Sequence, residues 1–128
     1  MYSILIIDDD EKFRFMLRQM LERAGYDVAE ACEGGEGIRV ALGRHFHLAI
    51  VDLIMPEKEG IETIMEMRKN LSNLKIIAIS GGGRGKPEGY LQTARVAGAH
   101  LAFTKPLDQE ELLEAVKELI LGVGIKTD

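Results

Sequence analysis

The sequence predicts an α/β domain: a parallel sheet with helices on both faces. Two observations carry that prediction. Apolar, largely β-branched runs alternate five times with helical patterns along 128 residues, with short connections between them, and right-handed crossovers then place helices on both sides of a parallel sheet. Four of the five runs also end in a polar group: Asp8-Asp9, Asp52, Ser80 and Lys105. In a parallel sheet those ends share one edge, the edge that forms the ligand crevice of open α/β sheets.

Each element has its own signal. Residues 2–7 (YSILII) form an apolar run closed by Asp8-Asp9-Asp10 and read as the first buried strand. Phe13, Leu17, Met20, Leu21 and Ala24 then recur three and four apart among Arg and Glu, the stripe of an amphipathic helix. Asp10 belongs at its start, where the positive helix end favours an acid, and Gly25 at its close. Val28–Cys32 is a weaker strand whose one long polar member, Glu30, points to a sheet edge. Cys32 within it is expected to pack as a small hydrophobe. Gly34-Gly35-Glu36-Gly37 feeds a short helix carrying Ile38, Ala41 and Leu42, with a start that three glycines leave poorly specified.

The stretch His47–Gly60 is the centre of the chain. His47 to Val51 reads as a strand buried on both faces, and Asp52 follows where the strand leaves the sheet. Met55-Pro56 prevents further pairing, and Gly60 is expected to allow a sharp turn into a helix with Ile61, Ile64 and Met65 on its apolar side. Lys75–Ser80 is a fourth strand, followed by the glycine-rich loop Gly81–Lys86. Pro87 suits the first turn of the next helix, Leu91, Ala94 and Ala97 supply its apolar side, and Gly98 ends it. His100–Thr104 is the fifth strand, stopped by Lys105-Pro106. Asp108 with Glu111 resembles a capping box for a last helix carrying Leu112, Val116, Leu119 and Ile120. One domain over residues 1–121 and a frayed tail over 122–128 are expected, the tail reading as an end rather than a linker.

Several function classes drop out. A formal charge of −5 without a basic run gives no footprint for direct nucleic-acid binding. The apolar run Ile4–Ile7 is too short for a signal peptide or a membrane span, and a single cysteine fits a reducing, cytoplasmic setting. Residues 80–87 satisfy neither GxxxxGK[ST] nor GxGxxG, because Ser80 stands where a P-loop needs glycine and Pro87 where it needs Ser or Thr. His45 and His47 lack a third ligand nearby and read as structural.

What remains is the set at the strand ends. Taken singly, the three aspartates could be a solvated helix start, Asp52 a turn residue, and Ser80 and Lys105 ordinary surface groups. Brought to one crevice they make different chemistry, because crowded carboxylates raise one another's proton affinity unless a cation holds them ionised. Oxygen-only ligands favour Mg²⁺, which commonly joins one or two carboxylates to a phosphate. With an ammonium from Lys105 and a hydroxyl from Ser80, the set could hold a phosphoryl group while one carboxylate attacks phosphorus in line.

These residues, Asp8-Asp9 after ILII, Asp52 in VDLIMP with Gly60 beyond it, Ser80 after KIIAI, and Lys105-Pro106, resemble the receiver domains of two-component response regulators over essentially the whole chain. The resemblance implies a (βα)5 flavodoxin-like fold with strand order 2-1-3-4-5, as in the chemotaxis regulators. It implies that Asp52 is phosphorylated by a histidine kinase or histidine phosphotransfer protein and that the change is relayed to a downstream protein. It implies that Asp9 and Asp52 bind Mg²⁺ directly and Asp8 largely through water, with the backbone carbonyl of Ile54 as a further ligand. Ser80 and Lys105 would hold phosphoryl oxygens, and the Lys105–Pro106 bond would be cis. A receiver of this kind catalyses only its own phosphorylation and dephosphorylation. The alternatives are a Mg²⁺-dependent phosphohydrolase with an aspartyl-phosphate, for which Asp52 lacks a second Asp two residues on and the chain a cap domain, and a receiver excised from a longer regulator.

The chain departs from the family pattern at Ala102, where an aromatic or His usually stands three residues before the lysine. Phe103 should face the opposite side of the sheet, and His100 lies two residues too early. Ordering of the Gly81–Lys86 loop is the expected substitute for an aromatic switch. Ile54, two residues beyond Asp52, should make loss of phosphate slow, because an apolar side chain cannot orient the attacking water.

Overall fold

The computed structural model describes residues 1–53, 60–81 and 87–122, with residues 87–91 described by their backbone alone. Ten elements alternate: β1 (Ser3–Ile7), α1 (Glu11–Arg23), β2 (Asp27–Ala31), α2 (Gly34–Gly43), β3 (Leu48–Asp52), α3 (Gly60–Asn70), β4 (Lys75–Ser80), α4 (Pro87–Ala97), β5 (Leu101–Thr104) and α5 (Gln109–Leu121). All strand pairs are parallel and the order is β2-β1-β3-β4-β5. That is the doubly wound (βα)5 sheet the sequence calls for, with β2 at an edge as Glu30 indicates.

Successive strand residues face opposite sides, and the sheet accordingly divides two cores. Leu5, Ile7, Ala49, Val51, Ile76 and Ala78 pack against Ile38 and Ala41 of α2, Ile64 and Met67 of α3, and Ala94 of α4. Ile4, Ile6, Leu48, Ile50, Ile77 and Ile79 pack against Leu17, Met20 and Leu21 of α1 and Leu112, Ala115 and Val116 of α5. β1 and β3 lie inside the sheet with every residue buried, so the strands that deliver Asp8 and Asp52 have the least freedom to move.

Some expectations need correction. Cys32 lies just beyond β2 and is exposed; its backbone N–H donates to Glu36 Oε1 at 2.8 Å, and the neighbouring carboxylate pushes its thiol up. Met65 is 56% exposed, because the buried stripe of α3 runs Gly60, Thr63, Ile64, Met67, and a residue one step past Ile64 is rotated off it. Leu42 is likewise exposed, and the core place below Ala41 is filled by Phe46 beyond the helix. The start of α2 is well specified: Glu33 caps it, its carboxylate accepting from the N–H groups of Gly35 at 2.7 Å and Glu36 at 3.1 Å. Gly60 adopts no positive φ. It is needed for space, since a Cβ there would run into the Asp52 carbonyl oxygen and Leu53 Cα.

Asp10 caps α1, accepting from Lys12 and Phe13 N–H, and Asp108 caps α5, accepting from Glu111 N–H. Gly122 closes α5 in the left-handed conformation; the rest of the expected tail, 123–128, lies outside the described residues, as do Ile54, the Met55-Pro56 turn and loop residues 82–86.

Candidate functional site

The carboxyl edge of the sheet gathers the acids. Asp8 follows β1 with its N–H still paired to the Ala31 carbonyl at 3.1 Å, and Asp52 is the last residue of β3. Both are buried, at 2% and 5% exposure, while Asp9 is exposed. One carboxylate oxygen from each of Asp8, Asp9 and Asp52 lies within 4.8 Å of the others. The solvated-start reading of the aspartate run thus holds for Asp10 alone, which faces its helix.

Asp8 is the most constrained of the three. Its Oδ1 accepts from Asp10 N–H at 2.8 Å, its Oδ2 pairs with Lys105 Nζ at 3.3 Å, and its carbonyl accepts from Arg14 Nη1 at 2.7 Å. Burial pushes the Asp8 carboxyl above its ordinary value, with Asp9 adding to the rise; the Asp10 N–H and the Lys105 ammonium oppose it. A buried carboxylate held high in this way gains from a nearby cation.

Ser80 ends β4 at 1% exposure. Register sets Asp52 beside Ile79 and Ser80 beside Thr104, and Lys105 N–H bonds to the Ser80 carbonyl at 2.9 Å, so Ser80 lies between the strands bearing Asp52 and Lys105. The Lys105 stem runs along Gly81, where an added Cβ would sit 3.5 Å from its Cδ. Its Nζ stands 4.0 Å from the centroid of the Phe13 ring. The Lys105–Pro106 bond is cis.

Two neighbours escaped sequence reasoning. Phe13 reads as one member of an apolar stripe, and nothing in the periodicity announces that its ring borders the lysine. Arg14 reads as solvated helix surface, yet it joins Asp8 to Glu30 of β2, its Nε donating to Glu30 Oε1 at 2.9 Å. Arg18 completes the group at 2.6 Å from Glu30 Oε2, and the Arg18 bond, then Arg14, hold Glu30 below the usual carboxylate range against the opposing effect of partial burial. The signal available was Glu30, a lone long polar residue in a strand facing a helix with arginines one turn apart.

Ala102 packs in the α2–α4 core and Phe103 in the α1/α5 core, on opposite faces as expected. His100 is committed elsewhere, its Nδ1 accepting from Ile76 N–H at 3.1 Å.

Three clustered carboxylates with no His or Cys among them suit a hard divalent cation such as Mg²⁺. Asp8, Asp9 and Asp52 would hold it, and Lys105 lies beside them to meet an anion. The residues therefore fit the ion that the chemistry of the cluster implies.

Comparison with known proteins agrees. The family model for the response regulator receiver domain matches residues 4–117. The uncharacterized transcriptional regulatory protein YrkP of Bacillus subtilis is 36% identical over 113 residues, covering 87% of this chain and 46% of YrkP. The transcriptional regulatory protein SrrA of Staphylococcus aureus is 28% identical over 119 residues, 92% of this chain and 47% of its own. The chain thus spans about half the length of the curated relatives it matches. Among solved structures, a CheY-like receiver domain protein from Methanospirillum hungatei superposes with a TM-score of 0.87 at 32% identity, covering 95% of each chain. The response regulator TrrA of Thermotoga maritima, solved in complex with Mg²⁺ and BeF, gives 0.82 at 29% identity over 93% of this chain and 99% of that one. With a five-stranded parallel sheet that carries its acids to one edge, this chain belongs to the response regulator receiver domains, the phospho-receivers of two-component signalling.

Proposed function

We propose that Asp52 accepts a phosphoryl group from the phosphohistidine of a histidine kinase or histidine phosphotransfer protein in a Mg²⁺-dependent reaction. The observation that carries this reading is the meeting of Asp8, Asp9 and Asp52 within 4.8 Å, with Lys105 Nζ 3.3 Å from Asp8. An Asp52 oxygen attacks phosphorus in line, the bond from phosphorus to the donor imidazole breaks, and the imidazole leaves. Asp9 and Asp52 would hold Mg²⁺ directly, Asp8 through water, and the Ile54 carbonyl would be a further ligand; the bound ion offsets the negative charge of the phosphoryl group. Lys105 turns from Asp8 to a phosphoryl oxygen, and the Ser80 hydroxyl donates to another. Ile54 leaves the attacking water unactivated, so Ile54→Asn should speed loss of the phosphoryl group.

The protein catalyses only its own phosphorylation and dephosphorylation and works in the cytoplasm. Among the described residues no helix is long and apolar enough to cross a membrane. Incubation with acetyl phosphate and Mg²⁺ should add one phosphoryl group by intact mass to the wild type and none to Asp52→Asn. Equal labelling of both would overturn Asp52 as the acceptor, and steady hydrolysis of a phosphomonoester by the wild type would favour the phosphohydrolase instead.

A second reading concerns the output. The chain matches about half of two transcriptional regulators, so the phosphorylated form acts on a DNA-binding regulator, within one chain or between two. With a formal charge of −5 the receiver itself does not bind DNA. Co-purification of such a regulator with phosphorylated protein, and not with Asp52→Asn, tests this.

A further inference from the structure

Resting on the receiver reading above, we propose that Phe13 is a positioning residue for Lys105, its ring face holding the ammonium beside the acidic pocket when Asp8 is engaged with a cation. A lysine is a point charge on a flexible four-carbon stem, so its usefulness depends on what restrains the far end. Among the described residues two contacts do so: Asp8 Oδ2 at 3.3 Å and the face of Phe13 at 4.0 Å from the ring centroid. The Lys105 side chain is 22% exposed, so water competes for the ammonium and the restraint matters.

The two contacts respond differently to a metal. Asp8 belongs to the carboxylate cluster, and an oxygen that faces a divalent cation attracts the ammonium less. The quadrupole of an aromatic ring is unaffected by that competition. The ring is also fixed from behind. Phe13 N–H donates to the cap Asp10 at 3.2 Å, and its side chain packs against the α1/α5 core. As Asp8 turns to the cation, the ring therefore keeps Nζ within reach of the phosphoryl oxygens. Leucine at this position would fill the space without attracting a cation.

The test is a double-mutant cycle with an independent structural readout. At saturating Mg²⁺ and fixed acetyl phosphate, Phe13→Leu should slow phosphorylation about three- to tenfold, and Phe13→Tyr should keep the wild-type rate. In a Lys105→Met background, Phe13→Leu should cost nothing further. Equal losses in both backgrounds would mean the ring serves packing alone and would overturn the proposal. The Lys105 ε-methylene protons should show an upfield ring-current shift in wild type and Phe13→Tyr, with and without Mg²⁺, and free-lysine positions in Phe13→Leu. A wild-type shift that vanishes on adding Mg²⁺, or that survives in Phe13→Leu, also overturns it. That spectrum decides the matter even if Lys105→Met is too slow to measure. Absence of labelling in the wild type would instead defeat the receiver reading while leaving the ring contact to be judged by the spectrum.

Discussion

Asp8 illustrates how a single side chain can set stability and function against each other. It is nearly fully buried, and burial raises its carboxyl, so at neutral pH its ionised form opposes folding until a cation arrives. Asp8→Asn keeps an oxygen for the Asp10 N–H and removes the charge. In the absence of Mg²⁺ it should stabilise the protein, because the neutral amide escapes the burial that raises the carboxyl, and it should weaken Mg²⁺ binding about tenfold or more. Urea unfolding and metal titration check the two halves. His100 offers a contrasting case, since its Nδ1 serves the fully buried Ile76 N–H. Partial burial of the ring, then Arg68 and Lys75, hold His100 below its ordinary value of 6.5, and burial with His45 beside it does the same to His47, whose Nδ1 accepts from Ser3 N–H at 3.1 Å. The folded state keeps both rings neutral while the unfolded chain takes up protons. Stability is therefore full above about pH 6.5 and is lost as the pH falls from there through the folded values. His100→Phe should cost about 1–3 kcal/mol at pH 7.5 through the orphaned N–H and should flatten the decline between pH 7.5 and 5.5, as measured by urea midpoints.

The contact between β3 and α3 decides where Asp52 ends up. Gly60 N–H bonds to the Leu53 carbonyl at 3.0 Å, and the helix sits so close that a methyl group at Gly60 would strike the Asp52 carbonyl. Gly60→Ala should therefore destabilise by about 1–3 kcal/mol and also slow phosphorylation, because the helix and the strand end must part. Glu33→Ala should cost about 1 kcal/mol by uncapping α2, with phosphorylation unchanged; thermal unfolding and labelling rates separate the two variants. The same elements mark how far the sequence can be read. Strands announce themselves through β-branched runs, and helices through a stripe, so every element was legible to within a residue or two. Met65 and Leu42 were misplaced because an apolar residue beside a stripe looks the same in sequence as one on it. Cys32 was misplaced because the strand stops one residue sooner. Gly60 was singled out correctly for the wrong physical reason, since close approach of two backbones leaves no trace in a local pattern. Asp8, Asp9, Asp52, Ser80 and Lys105 could be named because strand ends in a parallel sheet converge, whereas Phe13 and Arg14 act through contacts between a helix and strands far from it in sequence.

At the scale of the molecule, the site is a joint between segments that meet only in the folded state. Asp8 and Asp9 follow β1 while Asp52 ends β3, so a cation bound among them favours the folded chain and scarcely binds the unfolded one. Mg²⁺ at about 100 times its dissociation constant should add about 2.7 kcal/mol of stability, measurable as a rise in melting temperature, and Asp52→Asn should remove most of that rise. The layered packing carries one more expectation. Leu17→Ala and Ile64→Ala should each cost about 2–5 kcal/mol, and together should give the plain sum to within about 0.5 kcal/mol, because their side chains lie in separate cores. A partition wall of backbone then has an evolutionary corollary. Substitutions in the room on one side can accumulate without compensation in the other, so the two faces are free to diverge at separate rates.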